Sequence, residues 1–560
     1  MPDATTRAVI AIRDGFFEAH ARAHPEDSST LGLREHAPRL GDPSREAAME
    51  ELGQLRATLA AAGSFEPSTL DGDLRLDLDA VLRAARHHAR WIERDADASN
   101  LELAMLPNGA VQHALLHVEE EEHAEAVASR TEAVPEFLGR HAENLRRGAR
   151  EGRTPDRDVV DAFVERVLPG AASAMGSVAG GVVARAALAG VTLPSSLTAR
   201  LASAGNAARA AYRAFAEVIA TEIAPVARAG DVHVCLGEAE TAFRLRETMG
   251  LESSIDELLA LAERSLAQAH AALVEHARAA GHAHVKSAAD ARDVVMAVLA
   301  PKPATVDDAV ALYQGHLDAA TRFVEERALV PVPEGLALEL QPLPPGVADG
   351  TVLTNWPAPL LDARGKGHAL YAPDANEHPV VQTKNLAVHE GIPGHYLQSA
   401  CWQRGTPSPV RFLGVTDDVA MSRSYFGTML SVEGWAVHME QLLLAEGFYD
   451  AGPERIFFAF CDAIRAMRVL LDLGLHARGM DEEEALRMIT RATLMPESWA
   501  RNQVLRSRRI PLQSLTYLVG STEIASLRAG AARELDTLSF HRALLDLGPV
   551  PPSRLLTTFA

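Results

Sequence analysis

Apolar residues recur at three- and four-residue spacing along most of the chain, with Glu and Arg in the intervals. Residues 4–24, 44–62, 73–95, 133–149 and 155–168 carry the pattern first, and 200–228, 238–248, 255–280, 288–299 and 305–328 resume it. An apolar stripe with a period near 3.6 residues is that of a helix burying one face. Breaks are expected at Pro25-Glu26-Asp27, Gly41-Asp42-Pro43, Gly63-Ser64 and Pro107-Asn108-Gly109, where proline or glycine interrupts the helical ladder. The uncharged stretch 167–184 is mostly Gly, Ala and Ser, which predicts a closely packed bundle helix and not a membrane span.

The pattern changes over 329–383. Pro331, Pro333, Pro342, Pro344 and Pro345 lead into Thr351–Trp356 and Gly367–Tyr371, which read as loops and two or three short strands. Helical spacing then returns to the end, with loops near 404–410 and 506–513. The fold predicted is mainly α and two-lobed, with a small β element. A single domain over 1–560 is expected, with lobes of about 1–230 and 231–560, because no linker-like stretch separates them.

Composition narrows the partners. The chain has 560 residues, 47% of them hydrophobic and 23% charged, enough to bury a large core. Its formal charge of −21 argues against nucleic acid and anionic membrane surfaces. Cys235, Cys401 and Cys461 lie too far apart for a metal motif or a disulfide framework. With no apolar signal segment near the N-terminus, these features predict a soluble cytoplasmic protein, and leave room for a homodimer.

The chemistry concentrates at 388–398, V-H-E-G-I-P-G-H-Y-L-Q. Two histidines and an adjacent glutamate make up the zinc-hydrolase combination, in which imidazoles hold the ion and the carboxylate handles water. The usual ligand spacing is four residues, whereas His389 and His395 are six apart. On a regular helix that spacing would leave them about 120° and 9 Å apart, too far to share one ion. Pro393 must open the ladder, and Gly391 and Gly394 permit a bulge that absorbs two residues and returns His395 to ligand position.

A third ligand is expected from Glu433, a carboxylate in the apolar run Met429–Ala436 that needs a buried partner. Glu440, two turns on, suits an acceptor behind a ligand imidazole; His438 is the rival third ligand. Farther along, Arg468, Asp472 and His476 share a face of an apolar helix. Asp472 could orient an imidazole and His476 could bond substrate, or Arg468 and Asp472 simply pair within the helix. Tyr517 offers a phenol for an oxyanion. His113, His117, Glu120 and His123 also cluster but lack the second Glu-x-x-His of a di-iron bundle, so a solvated helix face is expected. His87-His88 and His282/His284 are likewise expected at the surface.

Taken together, these motifs resemble those of the bacterial domain-of-unknown-function 885 family. His389-Glu390-x-x-Pro393-Gly394-His395-x-x-Gln398 matches its hallmark, and Glu433-Gly434-Trp435-Ala436 its E-G-W-A. Arg468, Asp472, Gly474, His476 and Gly479 match a third motif, and Pro511, Gln513, Tyr517 and Gly520 a fourth. Leu512 departs from the family's usual glycine. The resemblance implies a gluzincin-like metallopeptidase, similar in plan to carboxypeptidase Taq and angiotensin-converting enzyme, with a deep cleft. It further implies one zinc ion per chain on His389, His395 and Glu433, with Glu390 as general base. Tyr517 and His476 would contact the transition state, and Tyr371, Arg468 and Gln513 the substrate. A short peptide or peptide-like molecule is the expected substrate. Two alternatives stay open: a non-hydrolytic iron enzyme of the two-histidine, one-carboxylate kind, and a binding protein with a vestigial site.

Overall fold

Helices form where apolar spacing and caps coincide. The computed structural model describes residues 3–228, 235–343, 351–362, 366–415, 423, 425–449 and 452–559; Pro344 and Pro345 of the proline-rich stretch lie outside them. Helix α1 (Ala4–Ala23), α2 (Arg45–Ala62) and α3 (Gly72–Glu93) each start where Asp3, Ser44 or Asp71 accepts a first-turn backbone N–H. α4 (Leu106–Leu116) corrects the sequence reading, since Pro107-Asn108-Gly109 opens this helix and separates nothing. Proline is tolerated in a first turn, where no helical acceptor is missed. α5 (Glu121–Arg150) also starts earlier than its periodicity suggests and runs through Pro135.

α6 (Leu168–Leu188) and α7 (Ser195–Val218) are an antiparallel pair. The helix through α6 is apolar and long enough to cross a membrane by length and composition, yet Ala171, Met175, Val178 and Val182 are buried against neighbouring helices. A Cβ on Gly205 of α7 would meet the Met175 carbonyl oxygen at 2.7 Å, so the small residues serve close helix contact. α8 (Ile255–Ala279) and α9 (Val306–Glu326) follow, both introduced by capping boxes.

The β element is a three-stranded sheet of β1 (Leu338–Pro342), β2 (Leu353–Trp356) and β3 (Gly367–Tyr371) in the order β1-β3-β2. β1 runs parallel to β3, and β2 antiparallel to it, which leaves β2 an edge. Helices resume with α10 (Val380–Leu386), α11 (His395–Gly405), α12 (Met429–Ala445), α13 (Pro453–Ala477), α14 (Glu497–Arg509) and α15 (Thr516–Ala529).

The cores do not divide at residue 230. One apolar cluster is confined to residues between Leu101 and Ala224. α1, α2 and α3 instead pack on Val410, Leu413 and Tyr425. Arg411, fully buried, fixes that contact by donating from Nε to Asp77 at 2.6 Å and from Nη2 to Asp73 at 3.1 Å.

α12 and α15 touch backbone to backbone. A Cβ on Gly434 would lie 2.5 Å from the Gly520 carbonyl carbon, and one on Gly520 would lie 2.2 Å from the Leu430 oxygen. Only a glycine pair allows this approach, which brings Glu433 beside the start of α15. Gly520→Ala is therefore expected to lower unfolding free energy by about 1–3 kcal/mol, as overpacking does, in a urea titration followed by circular dichroism.

Candidate metal centre

The two histidines come together through a helix break. α10 widens into a turn over Ala387–Gly391, Ile392 is extended, the Ile392–Pro393 peptide is cis, and α11 begins at His395. The expected bulge within one helix is thus replaced by two helices, because Pro393 and the extended Ile392 end the ladder outright. The Gly394 N–H donates to the Val388 carbonyl at 2.9 Å. A Cβ on Gly394 would sit 1.9 Å from the His389 carbonyl oxygen, so this crossing requires glycine. Two side chains hold the break against α12: Trp435 Nε1 donates to the Pro393 carbonyl at 2.9 Å, and Gln398 Nε2 to the Ser431 carbonyl at 2.8 Å.

The imidazoles of His389 and His395 meet with ring centres 4.7 Å apart. Glu433 Oε2 lies 3.3 Å from His389 Nε2 and 3.5 Å from His395 Nε2. All three side chains offer a ligand atom within 4.8 Å of the others. A tetrahedral ion with bonds of about 2.0–2.1 Å puts its ligand atoms about 3.3–3.4 Å apart, so the donor set fits such an ion. Glu433 Oε2 is also buried without a hydrogen-bond partner, which suits a metal-ligand atom.

Behind the set, His389 Nδ1 donates to Glu440 Oε1 at 2.6 Å. Arg465 Nη2 donates to the other Glu440 oxygen at 2.6 Å, and its Nη1 to Asp462 at 3.0 Å. Glu440 thus has the supporting role its spacing suggests, fixing the tautomer that turns Nε2 toward Glu433. Arg465 went unassigned in the sequence reading; its signal was a charge in the same apolar helix as Arg468.

Burial would lower the pKa of His389, but Glu433 and Glu440 outweigh it and raise the value to about 10. Burial works the other way on Glu433, where the two imidazoles hold the carboxyl well below its usual range. Glu390, Glu433 and Glu440 face two guanidinia, Arg465 on Glu440 and Arg468 near Glu433, and a divalent cation would balance the remaining charge.

Glu390 adjoins the set and is reached by the edge of the sheet. The Asn355 N–H of β2 donates to Glu390 Oε2 at 2.8 Å. Burial raises the Glu390 carboxyl pKa, opposed by the two imidazoles and that N–H. Asn355 was not singled out by sequence, because a main-chain donor has no residue signature.

On the opposite side, Tyr517 stacks on His389 with ring centres 6.1 Å apart, and Arg468 lies over the phenol ring at 5.5 Å. Gln513 Nε2 donates to Glu433 Oε1 at 3.3 Å and lies 3.5 Å from the Tyr517 hydroxyl. Arg468 donates to Gln503, not to Asp472, so the intrahelical pair considered from sequence is not the one formed.

Four candidates lie outside the ligand set. Asp472 accepts from Ser507 Oγ at 2.5 Å and from the Leu515 N–H at 3.1 Å; it pins the loop carrying Gln513, and Glu440 orients the imidazole in its place. His476, buried, bonds the Ser507 carbonyl at 3.0 Å, which commits its Nε2 to joining α13 and α14. Tyr371 closes β3 and packs with Leu353 and Ala387 in a cluster beside the His389 turn. His438, the rival ligand, pairs with His541 at 3.1 Å.

The histidine cluster around the end of α4 is a solvated face only in its Glu120–His123 half. His113 is buried and stacks on Trp356, with the His117 ring 4.8 Å away, while Glu120 and His123 pair with each other at 3.1 Å. His87 and His88 are buried as well, whereas His284 is exposed as expected. Neutral imidazoles are flat enough to pack in an interior. Burial lowers the pKa of His113 to about 3, which keeps it neutral. Two surface cavities, of about 1200 and 560 Å³, lie away from the ligand set, the larger between Gly405, Arg533 and Asp546.

The class is thus a mainly helical protein with a buried histidine–glutamate cluster at the edge of a small sheet. The chain belongs to the family described as bacterial protein of unknown function (DUF885), whose sequence profile matches residues 25–558. Two solved structures share the fold. A putative lipoprotein of unknown function from Shewanella oneidensis superposes with a TM-score of 0.72 at 18% identity, covering 98% of this chain and 99% of that one. A putative lipoprotein from Colwellia psychrerythraea gives 0.77 at 17%, covering 99% and 98%. No curated protein is significantly similar to the chain. The lipoprotein descriptions overturn the cytoplasmic location expected from sequence. Three unpaired cysteines show that the fold needs no disulfide, and that says nothing of compartment.

Leu512, the departure from the family pattern, has a φ of 72° and is buried. A left-handed conformation costs a non-glycine residue about 1–2 kcal/mol, while burying leucine contributes about 1.5–3 kcal/mol, so packing outweighs strain. Leu512→Gly loses the packing but relieves the strain; Leu512→Ala loses packing and keeps the strain. Both variants should melt below wild type, with alanine the less stable by about 1 kcal/mol, the reverse of the usual order for these residues.

Proposed function

We propose that the chain is a zinc-dependent hydrolase cleaving amide bonds of short peptides or peptide-like molecules, with catalytic zinc held by His389, His395 and Glu433. The observation that carries this reading is the convergence of two imidazoles and a carboxylate within 4.8 Å, with Glu390 on the same turn as His389. Zinc bound there would supply a Lewis acid and a water of lowered pKa.

Glu390 is the general base. Its carboxyl, made more basic by burial, takes the proton of the attacking water and delivers it to the leaving amine. The Asn355 N–H holds Oε2 and leaves Oε1 for that transfer. Tyr517 is the oxyanion donor: burial, together with Glu433, raises its pKa, so the phenol keeps its proton. Gln513 and Arg468 fix the ring and hydroxyl. β2 is an edge strand beside Glu390, and a peptide can pair with such an edge through main-chain groups other than the Asn355 N–H.

Elemental analysis tests the metal, and peptide hydrolysis tests the chemistry. His395→Ala and Glu433→Ala should each lower zinc content by about one ion per chain relative to wild type. Glu390→Gln should keep that ion while losing about 10²–10⁴-fold in turnover. Equal metal content in wild type and both ligand variants defeats the reading, and iron in place of zinc redirects it to oxidative chemistry. Glu440→Gln should weaken zinc binding by about 10–100-fold in a chelator competition, because its imidazole loses the acceptor that orients it.

A further inference from the structure

Among the described residues, one group besides the His389 set brings its ligand atoms within 4.8 Å of one another: His24, Glu51 and His88. His24 caps the end of α1, Glu51 lies on α2 and His88 on α3, so the group sits where three helices meet. His24 and His88 are 3% and 4% exposed. Their rings stack at 5.6 Å with 24° between planes, and His24 Nε2 lies 2.8 Å from Glu51 Oε1. His88 Nε2 is buried without a hydrogen-bond partner, while His24 Nδ1 faces Glu26 Oε1 at 3.7 Å. Leaving such an atom unpaired costs about 1–3 kcal/mol, so His88 Nε2 calls for a ligand.

The neighbouring charges are already engaged. Asp27 pairs with His20 at 3.0 Å, and Glu26 accepts the Gly41 N–H at 2.9 Å and faces Arg423 at 3.5 Å. Glu51 pairs with His24 at 2.8 Å, and Arg423 and His20 add to the positive field on its carboxylate. Burial, with His20, His87, His24 and Arg423 alongside, keeps His88 neutral and so suited to ligation.

We propose that His24, Glu51 and His88 form a second transition-metal site, distinct from the His389 set, which ties together α1, α2 and α3. Two imidazoles and a carboxylate suit zinc-type ions, and the ion replaces the proton shared between His24 and Glu51. Reaching a tetrahedral edge of about 3.3–3.4 Å requires that contact to open by about half an ångström. Glu51 can supply the movement, because its side chain is 18% exposed and is the group's opening to solvent. The role is structural, since none of the three residues adjoins the Glu390 site, and the ion adds to the apolar packing and the Arg13–Asp77 and Arg56–Glu93 pairs that already join these helices.

The test uses the full-length chain carrying His395→Ala and Glu433→Ala, equilibrated with zinc, desalted and assayed by elemental analysis. About one zinc per chain is expected to remain, and adding His88→Ala or Glu51→Gln should remove it. Zinc should also raise the melting temperature of the double variant, an effect absent after either addition. Glu51→Gln, at a partly exposed position, keeps the test valid if His88→Ala does not fold. No bound zinc in the double variant, or zinc that survives both additions, overturns the proposal. Should the His389 set fail to bind metal, wild type and the double variant will carry the same ion, and Glu51→Gln will still remove it.

Discussion

Glu440 is completely buried on α12, and its charge must be met from inside the protein. It is met twice, by the His389 imidazole and by the Arg465 guanidinium, each at 2.6 Å. Leaving one partner of such a pair unmatched costs about 3–5 kcal/mol, so the three segments bearing these residues must assemble together. The turn at Ala387–Gly391, α12 and α13 are thereby fixed relative to one another. Everything else at the centre is placed from that contact: Glu433 two turns back on α12, His395 just past the break, and Tyr517 stacked on the far side of His389.

Close backbone approach is the second constraint. Gly394 lets the chain cross over His389, and the Gly434–Gly520 pair lets α15 lie against α12. These contacts carry little energy of their own. They set the distances at which Glu433, Gln513 and Tyr517 can share one small volume, and a single added methyl group disturbs them. The sheet acts similarly from the other side, because β2 is an edge strand and its Asn355 N–H is free of ladder bonding to reach Glu390.

The fold is shared with two proteins at 17–18% identity over nearly the whole chain, so the helical arrangement tolerates wide change in sequence. Helix packing depends on which faces are apolar, and many sequences satisfy it. Buried polar groups are more demanding. This chain buries imidazoles in several places, and each is either paired, as His438 is with His541, or left with ring nitrogens unmet, as at His88 and His113.

Sequence by itself determined the helices, through the 3.6-residue apolar period and the caps at Asp3, Ser44, Ser254 and Thr305. It also picked out His389, His395, Glu433 and Glu440 as a set, because charge in an apolar run needs a partner. Only the tertiary structure decided how those partners meet. Six-residue spacing suggested a bulge, but Pro393 and Ile392 ended the helix and Gly394 started another, a choice set by contacts with Trp435 and Gln398. Helical spacing put Asp472 and His476 on a promising face, yet a face says nothing of what packs on it, and here it is Ser507 and Leu515. The same gap explains His88 and His113. Local pattern records which residues share a helix face, and burial depends on segments hundreds of residues away that cover it.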